Sequence, residues 1–86
     1  MAGEKIFIVE DDASIAAVLR VQLEQLGYQV VGSAVSGMEA LARARESKPN
    51  LILMDIVIQG ELDGIQTARL IRQQLQIPVV DRKSVV

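Results

Sequence analysis

Leu51-Ile52-Leu53-Met54 is an unbroken apolar run that passes directly into a carboxylate, Asp55. A short run with no polar alternation fits a strand covered on both faces, as in a parallel sheet with helices above and below. The carboxyl ends of such strands open onto a crevice where ligands bind, so an ionisable residue placed there is a candidate for chemistry. The chain makes this arrangement twice. Ile6-Phe7-Ile8-Val9, β-branched and aromatic, reads as a second doubly buried strand and also ends in acids, Glu10-Asp11-Asp12.

Helical periodicity fills the intervals. Ile15, Val18, Leu19, Leu23 and Leu26 recur at helical spacing, with Asp12 or Ser14 able to cap the start and Gly27 suited to end it. Gln29 to Ala34 reads as a less apolar strand, expected at a sheet edge. Ser36 and Glu39 have capping-box spacing, and Leu41, Ala42 and Ala44 give the next helix a small apolar face up to Ser47. Pro49 bars further helix before Leu51. After turn residues at Gln59-Gly60 and Asp63-Gly64, a helix from about Ile65 to Leu75 would bury Ile65, Ala68, Ile71 and Leu75. Ile77-Pro78-Val79-Val80 starts a fourth strand, and the pattern breaks at Asp81-Arg82-Lys83. Strands alternating with helices predict an α/β fold, a doubly wound parallel sheet built from βαβ units.

Composition narrows the chemistry. At 86 residues the chain makes one domain, near the small end of what folds without staples. It contains no Cys and no His, so thiol catalysis, thiolate metal sites and imidazole chemistry are excluded, leaving carboxylates and hydroxyls. A net charge of −2 with one Phe and one Tyr gives neither a nucleic-acid footprint nor a stacking platform. No apolar run approaches a membrane span or a signal peptide, and the expectation is a cytoplasmic protein with no membrane partner.

Each acid has an ordinary explanation by itself: Asp55 could cap a turn, and Glu10-Asp11-Asp12 could decorate a helix start. Together they imply more. Two neighbouring parallel strands would deliver carboxylates to one edge, where like charges repel unless a cation is present. All-oxygen ligands from carboxylates and water match Mg²⁺, and a metal beside an exposed Asp suits phosphoryl transfer.

At these residues the sequence resembles the receiver domain of two-component response regulators. The likeness rests on Ile8-Val9-Glu10-Asp11-Asp12, Leu51 to Asp55, Asp63-Gly64-Ile65 and Ile77-Pro78-Val79-Val80, over residues 5 to 80. It implies the flavodoxin-like receiver fold, here incomplete at about four strands and three helices: residues 1–80 as the N-terminal portion and 81–86 as a non-matching tail. By the same resemblance Asp55 is the phosphoacceptor for a partner histidine kinase or phosphotransfer protein. Asp11 and Asp55 would ligate Mg²⁺ directly, Glu10 through water, and Val57 through its backbone carbonyl. The chain departs from the family in three ways: a loop after Asp55 one residue longer with Gln59 for a usual proline, Lys83 where a Thr or Ser is usual, and no counterpart to the fifth strand, its lysine and the last two helices.

Such a chain is expected to be a signalling domain and not an enzyme. Two other readings stand beside it: a Mg²⁺-dependent aspartyl-phosphate enzyme, for which Val57 occupies the position of a usual second Asp, and a structural or dimerising fragment. The unpaired edge of the fourth strand predicts a homo-oligomer formed through residues 77–86.

Overall fold

The computed structural model describes residues 3–54 and 64–81; Asp55, Val57 and residues 82–86 lie outside the described residues. The elements are β1 (Lys5–Val9), α1 (Ala13–Gln25), β2 (Gln29–Ala34), α2 (Gly37–Ser47), β3 (Leu51–Met54), α3 (Gly64–Leu75) and β4 (Val79–Asp81). All strand pairs are parallel, in the order β2-β1-β3-β4. The alternation read from the sequence is therefore a doubly wound sheet, and β2 does lie at an edge.

The strand order explains the layers. From β1 the chain moves to one side, to β2, and then crosses back over β1 to reach β3 and β4. Right-handed crossovers in opposite directions put their helices on opposite faces. Accordingly, α1 packs Ala16, Leu19 and Leu23 toward Ile6, Ile8 and Val30. On the other face α2 and α3 bring Ala40, Ala44, Ala68 and Ile71 against Phe7, Val9, Ile52 and Met54.

The two faces are unequally closed. Ile52 and Met54 are fully buried beneath α2 and α3, while Leu51 and Leu53, which point to the α1 face, are only partly covered. The expectation of a strand buried on both sides thus holds for Ile6 to Val9 in β1 and fails for β3, because α1 sits over β1 and β2. The same asymmetry corrects the apolar stripe of α1: Leu19 and Leu23 pack, but Ile15, Val18 and Leu26 are exposed, the last at 74%. In α2 the buried alanines are Ala40 and Ala44, and Ala42 faces solvent.

Local chemistry sets the boundaries. Asp12 is the N-cap of α1, its side chain accepting from the Ser14 and Ile15 N–H groups, and Gly27 follows the helix at φ 98°, where glycine has no Cβ penalty. Ser36 caps α2 by accepting from the Glu39 N–H, while Glu39 accepts from the N–H of Val35, one residue before the cap. Lys48 closes α2 in the left-handed region at φ 50°. Asn50 then ties the start of β3 to β1, its Oδ1 accepting from the Lys5 N–H at 2.8 Å and its own N–H donating to the Lys5 carbonyl. Pro78 precedes β4, and its carbonyl accepts from the Ile52 N–H. The strand continues through Asp81, paired with Met54, one residue further than its apolar composition predicts.

Between β1 and β2 the register shifts after Ile6, so that Phe7 pairs with Gly32. The Phe7 ring lies directly over Gly32: a Cβ there would stand 2.9 Å from its Cε2.

Candidate functional site

The change of winding direction occurs between β1 and β3, and the crevice beyond the carboxyl ends of those two strands is where open α/β sheets bind ligands. Val9 and Met54, the last residues of the two strands, are register partners. Glu10 follows the first and Asp55 follows the second in sequence. The spatial relation inferred from two separate acid-terminated runs is thus present as far as the last residue of each strand.

The three acids after β1 have three different situations. Glu10 is 2% exposed, the buried charged residue of this end of the sheet. Its main-chain N–H donates to the Ala34 carbonyl at 2.9 Å, extending the β1–β2 ladder by one residue, and its Oε2 accepts from the Asp12 N–H at 3.3 Å. Asp11 is exposed. Asp12 is committed to capping, with Oδ1 at 2.8 Å from the Ser14 nitrogen and 3.2 Å from that of Ile15. This is the helix-capping role the sequence allows for Asp12.

Among the described residues no group of three Asp, Glu, His or Cys side chains comes together, since the third member of the expected set, Asp55, and the carbonyl of Val57 lie outside them. What is described fits a hard cation. The described donors are carboxylate oxygens only, Glu10 buried and Asp11 exposed, the donor type that a hard cation such as Mg²⁺ would take.

A few contacts that hold this region were not legible beforehand. Glu10's burial is one, because its neighbours in sequence, Asp11 and Asp12, are both exposed. The bond from Arg43 Nη1 to the Ser33 carbonyl at 3.0 Å is another, joining α2 to the outer strand. A third is Arg72, whose Nη2 donates to the Val79 carbonyl at 3.1 Å and ties α3 to the start of β4.

A parallel sheet wound in this order is a flavodoxin-like doubly wound fold. The model of the response regulator receiver domain matches residues 6–81. The chain is 41% identical over 79 residues to the alkaline phosphatase synthesis transcriptional regulatory protein PhoP of Bacillus subtilis, covering 91% of this chain and 32% of PhoP. Among solved structures, the signal receiver domain of a modulated diguanylate cyclase from Desulfovibrio desulfuricans superposes with a TM-score of 0.85 at 40% identity, over 90% of this chain and 62% of that one. The response regulator domain of Thermotoga maritima CheB gives a TM-score of 0.82 at 33% identity, over 90% and 57%. The chain belongs to the response regulator receiver domain family. It spans about a third of the length of curated relatives such as PhoP. No helix among the described residues is long and apolar enough to cross a membrane.

Proposed function

We propose that the chain is the phosphoacceptor of a two-component relay, with Asp55 taking a phosphoryl group from a histidine kinase or phosphotransfer protein. The observation that carries this reading is the Val9–Met54 register, which aligns the ends of two adjacent parallel strands whose next residues in sequence are Glu10 and Asp55. In the reaction an Asp55 carboxylate oxygen forms the new O–P bond while the bond from phosphorus to the donor's nitrogen breaks, and the electron pair leaves with that nitrogen. Bound Mg²⁺ supplies charge neutralisation for the transferring group. Asp11 and Asp55, with the Val57 carbonyl, would hold the ion, and Glu10 would act through water, as the resemblance to receiver domains implies.

The protein groups divide the work. Glu10 is buried, with its carboxyl group held by the Asp12 N–H, and Asp11 is exposed and open to a ligand. The role is that of a signalling switch and not of an enzyme acting on a separate substrate, carried out in the cytoplasm. Borohydride trapping tests the acceptor directly, because it reduces an aspartyl phosphate to homoserine. After incubation with acetyl phosphate and Mg²⁺, fragment masses should place the homoserine at residue 55; a homoserine at residue 11 or 12 would contradict the assignment.

The same sheet favours self-association. Among the described residues β4 ends the strand order, Val80 is 37% exposed, and Leu51 and Leu53 are incompletely covered beside it. An unpaired strand edge next to apolar surface is a template for a second chain, and a homo-oligomer formed through the β4 region covers both.

A further inference from the structure

A groove between α1 and the outer edge of β2 has a volume of about 460 Å³. That lies within the range of roughly 300–1,000 Å³ typical of small-molecule sites, which are mostly apolar with a few polar groups that fix orientation. Its apolar wall is built from Ala17 and Val21 of α1, Val30 of β2 and Val35 just beyond it.

Four charged side chains also line it: Glu10, Arg20, Glu39 and Arg43. The two carboxylates are engaged with the main chain, Glu39 accepting from the Val35 N–H at 3.2 Å and Glu10 from the Asp12 N–H at 3.3 Å. The two guanidiniums are far from saturated. Each presents five N–H donors in a planar fork suited to a carboxylate. Arg43 spends one on the Ser33 carbonyl. Arg20 stands 3.8 Å from the Glu24 carboxylate in a half-exposed pair, too long for a hydrogen bond and weak in water. The groove therefore offers apolar surface and unused cationic donors side by side.

We propose that this groove binds a small organic acid, with the apolar body against Ala17, Val21 and Val35 and the carboxylate taken by Arg20 and Arg43. The lining charges balance, and the unused guanidinium donors select the occupant, since each lining carboxylate already accepts a main-chain N–H. An organic cation would meet the two guanidiniums, and a neutral apolar molecule would leave their donors unused.

Octanoate is the probe, with octan-1-ol as its uncharged counterpart, each titrated into the ¹⁵N-labelled chain. Octanoate should give saturating amide shifts at Ala17, Val21, Val35 and Arg43, and octanol should bind roughly tenfold more weakly, as expected for loss of a charge-assisted hydrogen bond. The double variant Arg20→Gln, Arg43→Gln should lose that advantage while keeping its affinity for octanol. Because Arg43 also shields the β2 edge, Arg20→Gln alone serves if circular dichroism shows the double variant unfolded. Equal binding of octanol, unchanged octanoate affinity in the folded variant, shifts confined to Leu51, Leu53 and Val80, or no saturating shift would each overturn the proposal.

Discussion

Val9 and Met54 face each other as register partners in the parallel pairing of β1 and β3, and each is followed in sequence by an acid. The winding reverses between these two strands, so Glu10 follows β1 at the switch point of the sheet.

Mg²⁺ should bind weakly, with a Kd on the order of 1 mM, since few protein ligands are available and the ion keeps much of its water. Amide resonances at Glu10 and Asp11 should move on titration. Asp11→Asn should abolish the effect. Asp12→Asn should leave it intact, because Asn also caps a helix and the Asp12 carboxylate is already used on the Ser14 and Ile15 N–H groups. Loss of binding in Asp12→Asn would place that residue among the ligands.

The unequal closure of the two sheet faces predicts unequal costs of truncation. Ile71 is fully buried in the α2/α3 face, so Ile71→Ala should destabilise by about 2–5 kcal/mol. Val18, on α1, is 55% exposed, and Val18→Ala should change stability by no more than about 0.5 kcal/mol. Denaturant unfolding of the two variants measures the contrast; similar losses would mean that α1 is packed more deeply than described.

Gly32 is a packing constraint. A methyl group there meets the Phe7 ring at 2.9 Å, and Phe7 is 1% exposed with little room to move. Gly32→Ala should cost about 1–3 kcal/mol, the range for overpacking a core. Phe7→Leu, which removes the ring, should relieve part of that cost in a double-mutant cycle. Additive losses would show that the ring is not what the methyl group strikes.

Most of the fold was legible because apolar runs and helical spacing are local signals. The strand edge at β2, the cap at Asp12 and Gly27 as a terminator all follow from residue chemistry that acts within a few positions. What was not legible depends on how much surface a distant element covers. Leu51 and Ile52 are indistinguishable in the apolar run, yet one is partly covered and the other sealed, because α1 sits over β1 and β2 while α2 and α3 close the opposite face. Ile15 and Val18 fit a buried stripe for the same reason and are exposed. At the site, the acid-terminated run placed Glu10, Asp11 and Asp12 at the end of the first strand, but not that the first carboxylate is buried and the other two are exposed. That division comes from Glu10 joining the ladder to Ala34.

Self-association through β4 has a hydrodynamic signature. Sedimentation equilibrium at micromolar concentration should show a dimer or larger species, and Val80→Lys, which puts a charge on the exposed strand, should shift it toward monomer. A monomer of undiminished stability in the parent would show that the open side of the sheet needs no partner.

The phosphoacceptor assignment is tested most directly by intact mass. The chain is incubated with acetyl phosphate, with and without Mg²⁺, beside an Asp55→Asn variant whose amide is nearly isosteric but cannot act as the nucleophile. The parent should gain a single phosphoryl group in the presence of Mg²⁺ and much less in its absence, and the variant should gain none. A phosphorylated Asp55→Asn chain, or a parent that stays unmodified while Mg²⁺ demonstrably binds, would contradict the role of Asp55.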